Sequence, residues 1–149
     1  PEGCLLIAGD HILSHITPNL SPDLTEPAFL PLQSFLSSLD RVEGLPVATV
    51  CPAHGRPFSD LKRRVHGMRE HHRDRSKLAL QAVTEGERTS GDVSRFIFGE
   101  VRSPFDRLLA LNESYVHLIQ LERKTLIRRE MRNGLCLFAR IRSNEVGSP

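Results

Sequence analysis

No apolar run in this chain approaches the roughly 18 residues needed to cross a bilayer, which excludes a helical membrane span. Cysteine is scarce and scattered. Cys4, Cys51 and Cys136 are odd in number and show no C-x-x-C spacing, which excludes a disulfide framework and a zinc knuckle. Each lies in an apolar, strand-like run, where a buried free thiol is expected. The first residues, PEGCLLIAGD, show neither a basic leader nor a small-residue cleavage site, and the expectation is a cytoplasmic protein. Internal repeats and low-complexity segments are lacking. So is any H-x-H pair, although the chain has seven histidines.

What is present is a globular composition. The 149 residues, 39% of them apolar, suffice for one ordinary domain or two small ones. The net charge of +2 conceals a gradient. Residues 1–58 carry −4, residues 59–87 carry +2 and residues 88–149 carry +4. An acidic front and a basic back fit two units with different tasks.

The front half alternates strand and helix. CLLIA (4–8) is short, apolar and followed by Gly9, as in a buried strand. Residues 14–27 hold three prolines and many small polar residues, a loop of a length that is usually functional. Three-to-four spacing of Phe29 or Leu32, Phe35 or Leu36, and Leu39 predicts a helix over 28–42, stopped by Gly44. VATVC (47–51) predicts a second strand, which completes a βαβ unit. From Ser59 to about Glu85 a charged helical pattern follows, as one bent helix or two.

The back half predicts three helices and a hairpin. T-S-G-D (89–92) has the form of a capping box and opens a helix ending near Gly99. Pro104 opens another, with Leu108, Leu111, Tyr115, Leu118 and Leu121 or Glu122 on one face. Asn133-Gly134 between strand-forming runs is a hairpin signal. This is the layout of a winged helix.

LLIAGDHIL (5–13) carries the chemical question, because a strand here delivers a carboxylate and an imidazole at its carboxyl end. Asp10-His11 is not the end of a His-x-His-x-Asp-His cluster, since the histidines would fall at Leu6 and Ala8. Asp10 suits a separate role, as a carboxylate with two oxygens for two cations. His54 follows the second strand in a Pro-x-His-Gly turn, and neutral imidazole is a common zinc ligand. In α/β sheets ligands collect at that carboxyl edge.

GDHILSHITPN, the helix LQSFLSSLDRVEGL, and CPAHGRPFSDLKRRVHGMREHHRDR together resemble the C-terminal part of a metallo-β-lactamase-fold hydrolase. The resemblance is to the branch with an appended winged helix, glyoxalase-II-like or ribonuclease-like, and covers about residues 3–142. It implies an α/β fold: a partial αββα domain over 1–68, a winged-helix domain over 69–142 and a flexible tail over 143–149. It further implies that Asp10 is the bridging, catalytic aspartate and that Asp10 and His54 are metal ligands. The cofactor would be two zinc ions activating water for hydrolysis of an ester, thioester or phosphodiester. The family's His-x-His-x-Asp-His cluster is absent from these residues. The chain is thus expected to be a fragment whose partner is the missing N-terminal half of the domain, and to be inactive alone.

The remaining histidines have weaker claims. His11 could hold a ligand by hydrogen bond, His15 could border a pocket, and His72 could face the site mouth, although REHHRDR reads first as a solvated helix surface. A nucleic-acid alternative follows from the winged helix. It would use Arg107, Asn112, Glu113, His117, Gln120 and Lys124 on its third helix and Arg128, Arg129, Arg132 and Arg140 on its wing, with single-stranded RNA as partner. A homodimer is also compatible with the sequence, and a membrane partner is not expected.

Overall fold

A computed structural model describes residues 3–23 and 25–141. The tail expected over 143–149 lies outside them. The elements run β1 (Cys4–Gly9), α1 (Pro31–Glu43), β2 (Val47–Pro52), α2 (Leu61–Ala82), β3 (Arg88–Thr89), α3 (Ser90–Phe98), α4 (Pro104–Arg123), β4 (Ile127–Arg132) and β5 (Leu135–Arg140). Packing divides the chain into two units. Residues up to 19 with 33–73 form the first, and 20–32 with those from 74 onward form the second. The boundary falls within α2, a single helix.

In the first unit, β1 and β2 form a parallel pair. Pro31 opens α1, where a missing N–H costs nothing, so the helix starts three residues later than the periodicity suggests. Leu32, Phe35 and Leu39 are its buried stripe. On α2 the buried stripe is Leu61, Val65, Met68 and His72, at the 4-3-4 spacing of one helix face. The expectation of a solvated REHHRDR surface is therefore wrong at His72, which is 2% exposed. It takes the next place on an apolar face.

One side of the strand pair is bare. Leu6 pairs with Val50, and alternation turns Leu5 and Ile7 to the opposite face, where they are 59% and 81% exposed. Parallel sheets are ordinarily covered on both faces. The same openness explains why Cys4 is exposed and Cys51 half-buried rather than fully buried as expected, and Cys136 too is only half-buried. We expect the isolated chain to self-associate through this face and the open strand edges. Sedimentation velocity should show oligomers that revert to monomer in a Leu5→Lys, Ile7→Lys variant. A monodisperse unsubstituted chain would contradict the argument.

In the second unit, the core joins Ala79, Ala82, Val83, Val93, Leu118, Leu121, Ile127 and Phe138. Strands β3, β5 and β4 lie in that order, all antiparallel. The hairpin turns at Asn133 and Gly134, both with positive φ (52° and 76°), as a tight turn of the favoured hand requires. Helix α4 differs from its predicted face. Residues 116–121 are buried around the whole circumference, whereas Leu108 and Leu111 are exposed.

The capping box at α3 is complete. The Thr89 hydroxyl accepts from the Asp92 N–H, and the Asp92 carboxylate accepts from the Thr89 N–H (2.9 Å) and hydroxyl (2.6 Å). Chiefly the Thr89 hydroxyl, then its N–H, hold the Asp92 pKa below the usual carboxylate value. A depressed folded pKa gives stability that is present above the unfolded value of about 4 and lost as pH falls through the folded one. Thr89→Ala should cost about 1 kcal/mol. Urea melts should also show that this variant loses less stability on acidification below about pH 4 than the parent does. An unchanged acid slope would show that Asp92 is not the titrating group.

Candidate metal centre

Strand pairing brings the two predicted ligands together. Gly9 pairs with Pro52 at the carboxyl ends of β1 and β2, and the Ala53 N–H donates to the Gly9 carbonyl at 2.9 Å. Asp10 therefore directly follows β1 and His54 lies two residues beyond β2, at adjacent ends of two parallel strands. Gly9 (φ 54°) and Gly55 (φ 91°) supply the left-handed backbone that each turn needs. A side chain at Gly55 would also collide with the Ser14 hydroxyl.

The His54 Nε2 and Asp10 Oδ1 atoms lie 3.5 Å apart, with the side chains 78% and 69% exposed. Two ligands of one tetrahedral zinc, at 2.0–2.2 Å each, are separated by about 3.4 Å. The pair thus fits joint ligation of a cation. So exposed a contact contributes little to stability. Among the described residues no cluster of three or more His, Cys, Asp or Glu side chains is placed to hold a metal. Asp10 and His54 by themselves offer two donor groups at this edge.

The other histidines divide. His11 turns towards α1, where its Nε2 lies 2.6 Å from the Ser38 hydroxyl. Ser38 donates its only hydroxyl proton to the Phe35 carbonyl (2.6 Å), so His11 Nε2 is the donor. Burial first, then the Arg41 charge, push the His11 pKa down, which keeps that ring neutral. His11 also packs edge-on against Phe35 (5.6 Å between centroids), and Phe35 packs likewise on His72 (5.4 Å). His11 and His72 thus belong to one packed row. His15 is exposed and borders an open recess.

Sequence reasoning missed Arg64. Its Nε donates to the Leu13 carbonyl (2.5 Å) and an Nη to the Ile16 carbonyl (2.6 Å), which ties α2 to the loop that follows Asp10. The signal was faint: an arginine one turn from the buried Leu61, beside a proline-rich loop with few partners for its own carbonyls. In the second unit, several of the expected groove-reading residues are otherwise engaged. His117 is buried with Nδ1 2.9 Å from the Ser76 hydroxyl, Gln120 is buried, and Glu113 pairs with Arg75 (3.5 Å). Arg128 and Arg132 are paired with Glu87 and Glu130, and Arg129 with Glu122.

No family model and no curated protein matches the chain. Among solved structures it is similar to a β-lactamase domain protein from Burkholderia ambifaria, with a TM-score of 0.86 and 29% identity over 92% of this chain and 41% of that one. It is also similar to a metallo-β-lactamase family protein from Thermus thermophilus, with a TM-score of 0.78 and 26% identity over 92% of this chain and 42% of that one. The chain thus spans about two fifths of the length of these proteins. The likeness supports a metallo-β-lactamase fold. Among the described residues no helix is long and apolar enough to cross a membrane.

Proposed function

We propose that this chain is the part of a zinc-dependent hydrolase that contributes Asp10 and His54 to a two-metal centre, the other ligands coming from a segment outside these 149 residues. The observation that carries the reading is the 3.5 Å approach of the two side chains at adjacent strand ends. When bound, zinc would supply Lewis acidity and an activated water. Asp10, with two carboxylate oxygens, would hold cations and would orient the reacting water. His54 would offer an imidazole nitrogen, and Gly55 gives its turn the room it needs. Ester, thioester and phosphodiester bonds are the substrate classes that suit such a site.

The second unit reads as a winged-helix module. Its order of helix, short strand, two helices and hairpin, with β5 between β3 and β4, supports this. Phosphate affinity needs a coherent, available basic surface. The carboxylate partners of Arg128, Arg129 and Arg132 argue for a supporting rather than a nucleic-acid-reading module. A cytoplasmic setting and a homodimer belong to the same proposal.

The test is hydrolysis. The chain would be fused to the complementary part of the Burkholderia ambifaria domain and assayed on ester, thioester and phosphodiester substrates. Turnover that a chelator abolishes and zinc restores is expected. Chelator-resistant turnover, or a folded fusion that takes up no zinc, would overturn the reading.

A further inference from the structure

The loops that carry Asp10 and His54 also enclose an open recess of about 620 Å³ that metal ligation does not use. Its polar lining includes Ser14, His15, Arg56, Arg63 and Arg64, and Asp60 is its one acidic side chain. Three guanidinium groups against one carboxylate leave a formal charge of +2. These groups have distinct tasks. Arg64 is committed to the carbonyls of Leu13 and Ile16 and so fixes one wall. Asp60 accepts from the Arg63 backbone N–H (3.0 Å), which caps α2 and closes the helix end to an anion. Phe58, also in the lining, is held by reciprocal backbone hydrogen bonds with Val50 (2.7 and 3.0 Å). The Arg56 and Arg63 side chains stay exposed, and among the described residues neither guanidinium is engaged by a carboxylate.

We propose that this recess seats a phosphate monoester of the substrate, gripped by Arg56 and Arg63, with His15 and Ser14 as further hydrogen-bond donors. Guanidinium forks match phosphate oxygens in pairs, and a dianion neutralises the net charge of the recess. A carboxylate or a phosphodiester carries one negative charge and would leave half of it uncompensated. Ser14 and His15 follow Asp10 by four and five residues and Arg56 follows His54 by two, so a substrate anchored here by its phosphate would have its scissile group near Asp10 and His54. That the anion belongs to the substrate rests on the hydrolase reading, whereas capture of the anion does not.

Calorimetric titration of the 149-residue chain with phenyl phosphate, at low salt and without divalent metal, tests the proposal. One saturable site is expected. An Arg56→Gln, Arg63→Gln variant should bind at least about tenfold more weakly, as loss of charge-assisted hydrogen bonds implies. Either single variant should show part of that loss, and Arg102→Gln should stay within about twofold of the parent. Dimethyl phosphate and acetate should bind at least about tenfold more weakly than phenyl phosphate. Equal binding of acetate or dimethyl phosphate, unchanged affinity in the double variant, or no saturable heat from a chain whose circular dichroism melt is intact would each overturn it. Chelator-resistant hydrolysis by the fusion would sink the metal reading and leave this titration standing.

Discussion

Alanine at His54 should lower kcat/KM of the zinc-dependent fusion by more than about a hundredfold and leave its melting curve in place. Removing an outer partner of a metal ligand already costs about 10–100-fold, and a ligand itself costs more. Asp10→Ala should be at least as severe, because it also removes the group proposed to orient water, and zinc content should fall with activity. The separation from stability follows from exposure. Both side chains are mostly in solvent, where substitutions usually change stability by no more than about 0.5 kcal/mol. Metal analysis, steady-state kinetics and thermal melts on the same preparations would check all three statements. An unfolded His54→Ala protein would make the residue structural, and a variant with full zinc content and full activity would remove it from the ligand set.

The second large effect concerns the core. Phe138→Ala should destabilise the second unit by about 3–5 kcal/mol, the usual range for a fully buried aromatic. Phe138 is inaccessible to solvent, meets Val93, Leu118 and Ile127 in one cluster, and packs edge-on against Tyr115 at 6.1 Å. Domains of this size have total stabilities of about 5–15 kcal/mol, so the variant should be marginal. Its melting temperature should drop by roughly 15 °C or more. Phe105→Ala is the control, because that phenylalanine is 65% exposed and its loss should leave the melt nearly unchanged. Similar melts for the two variants would mean that the core is not where the burial places it.

How far the sequence foretold this structure depends on how local each signal is. Gly-Asp after one strand and Pro-x-His-Gly after the next were legible, because strand ends are marked by neighbouring residues and the parallel pairing then leaves little freedom in where the side chains go. The Thr89–Asp92 box and the Asn133-Gly134 turn were legible for the same reason. His72 was misread because its sequence neighbours are charged. The information lay in the spacing from Leu61, Val65 and Met68, which extends an apolar stripe through a basic segment. Leu108 and Leu111 were misread in the opposite sense, since a stripe on a helix states that a face is apolar and not how far its cover reaches. The role of Arg64 depends on carbonyls about fifty positions away, which no local pattern encodes.

The row formed by His11, Phe35 and His72 has a spectroscopic consequence. Aromatic rings meeting edge to face displace one another's proton resonances, so the imidazole signals of His11 and His72 should stand apart from those of exposed histidines such as His54 and His66. Because His11 is the immediate neighbour of Asp10, its signal is a built-in reporter. A change in the turn that presents the carboxylate should register there before any turnover is measured.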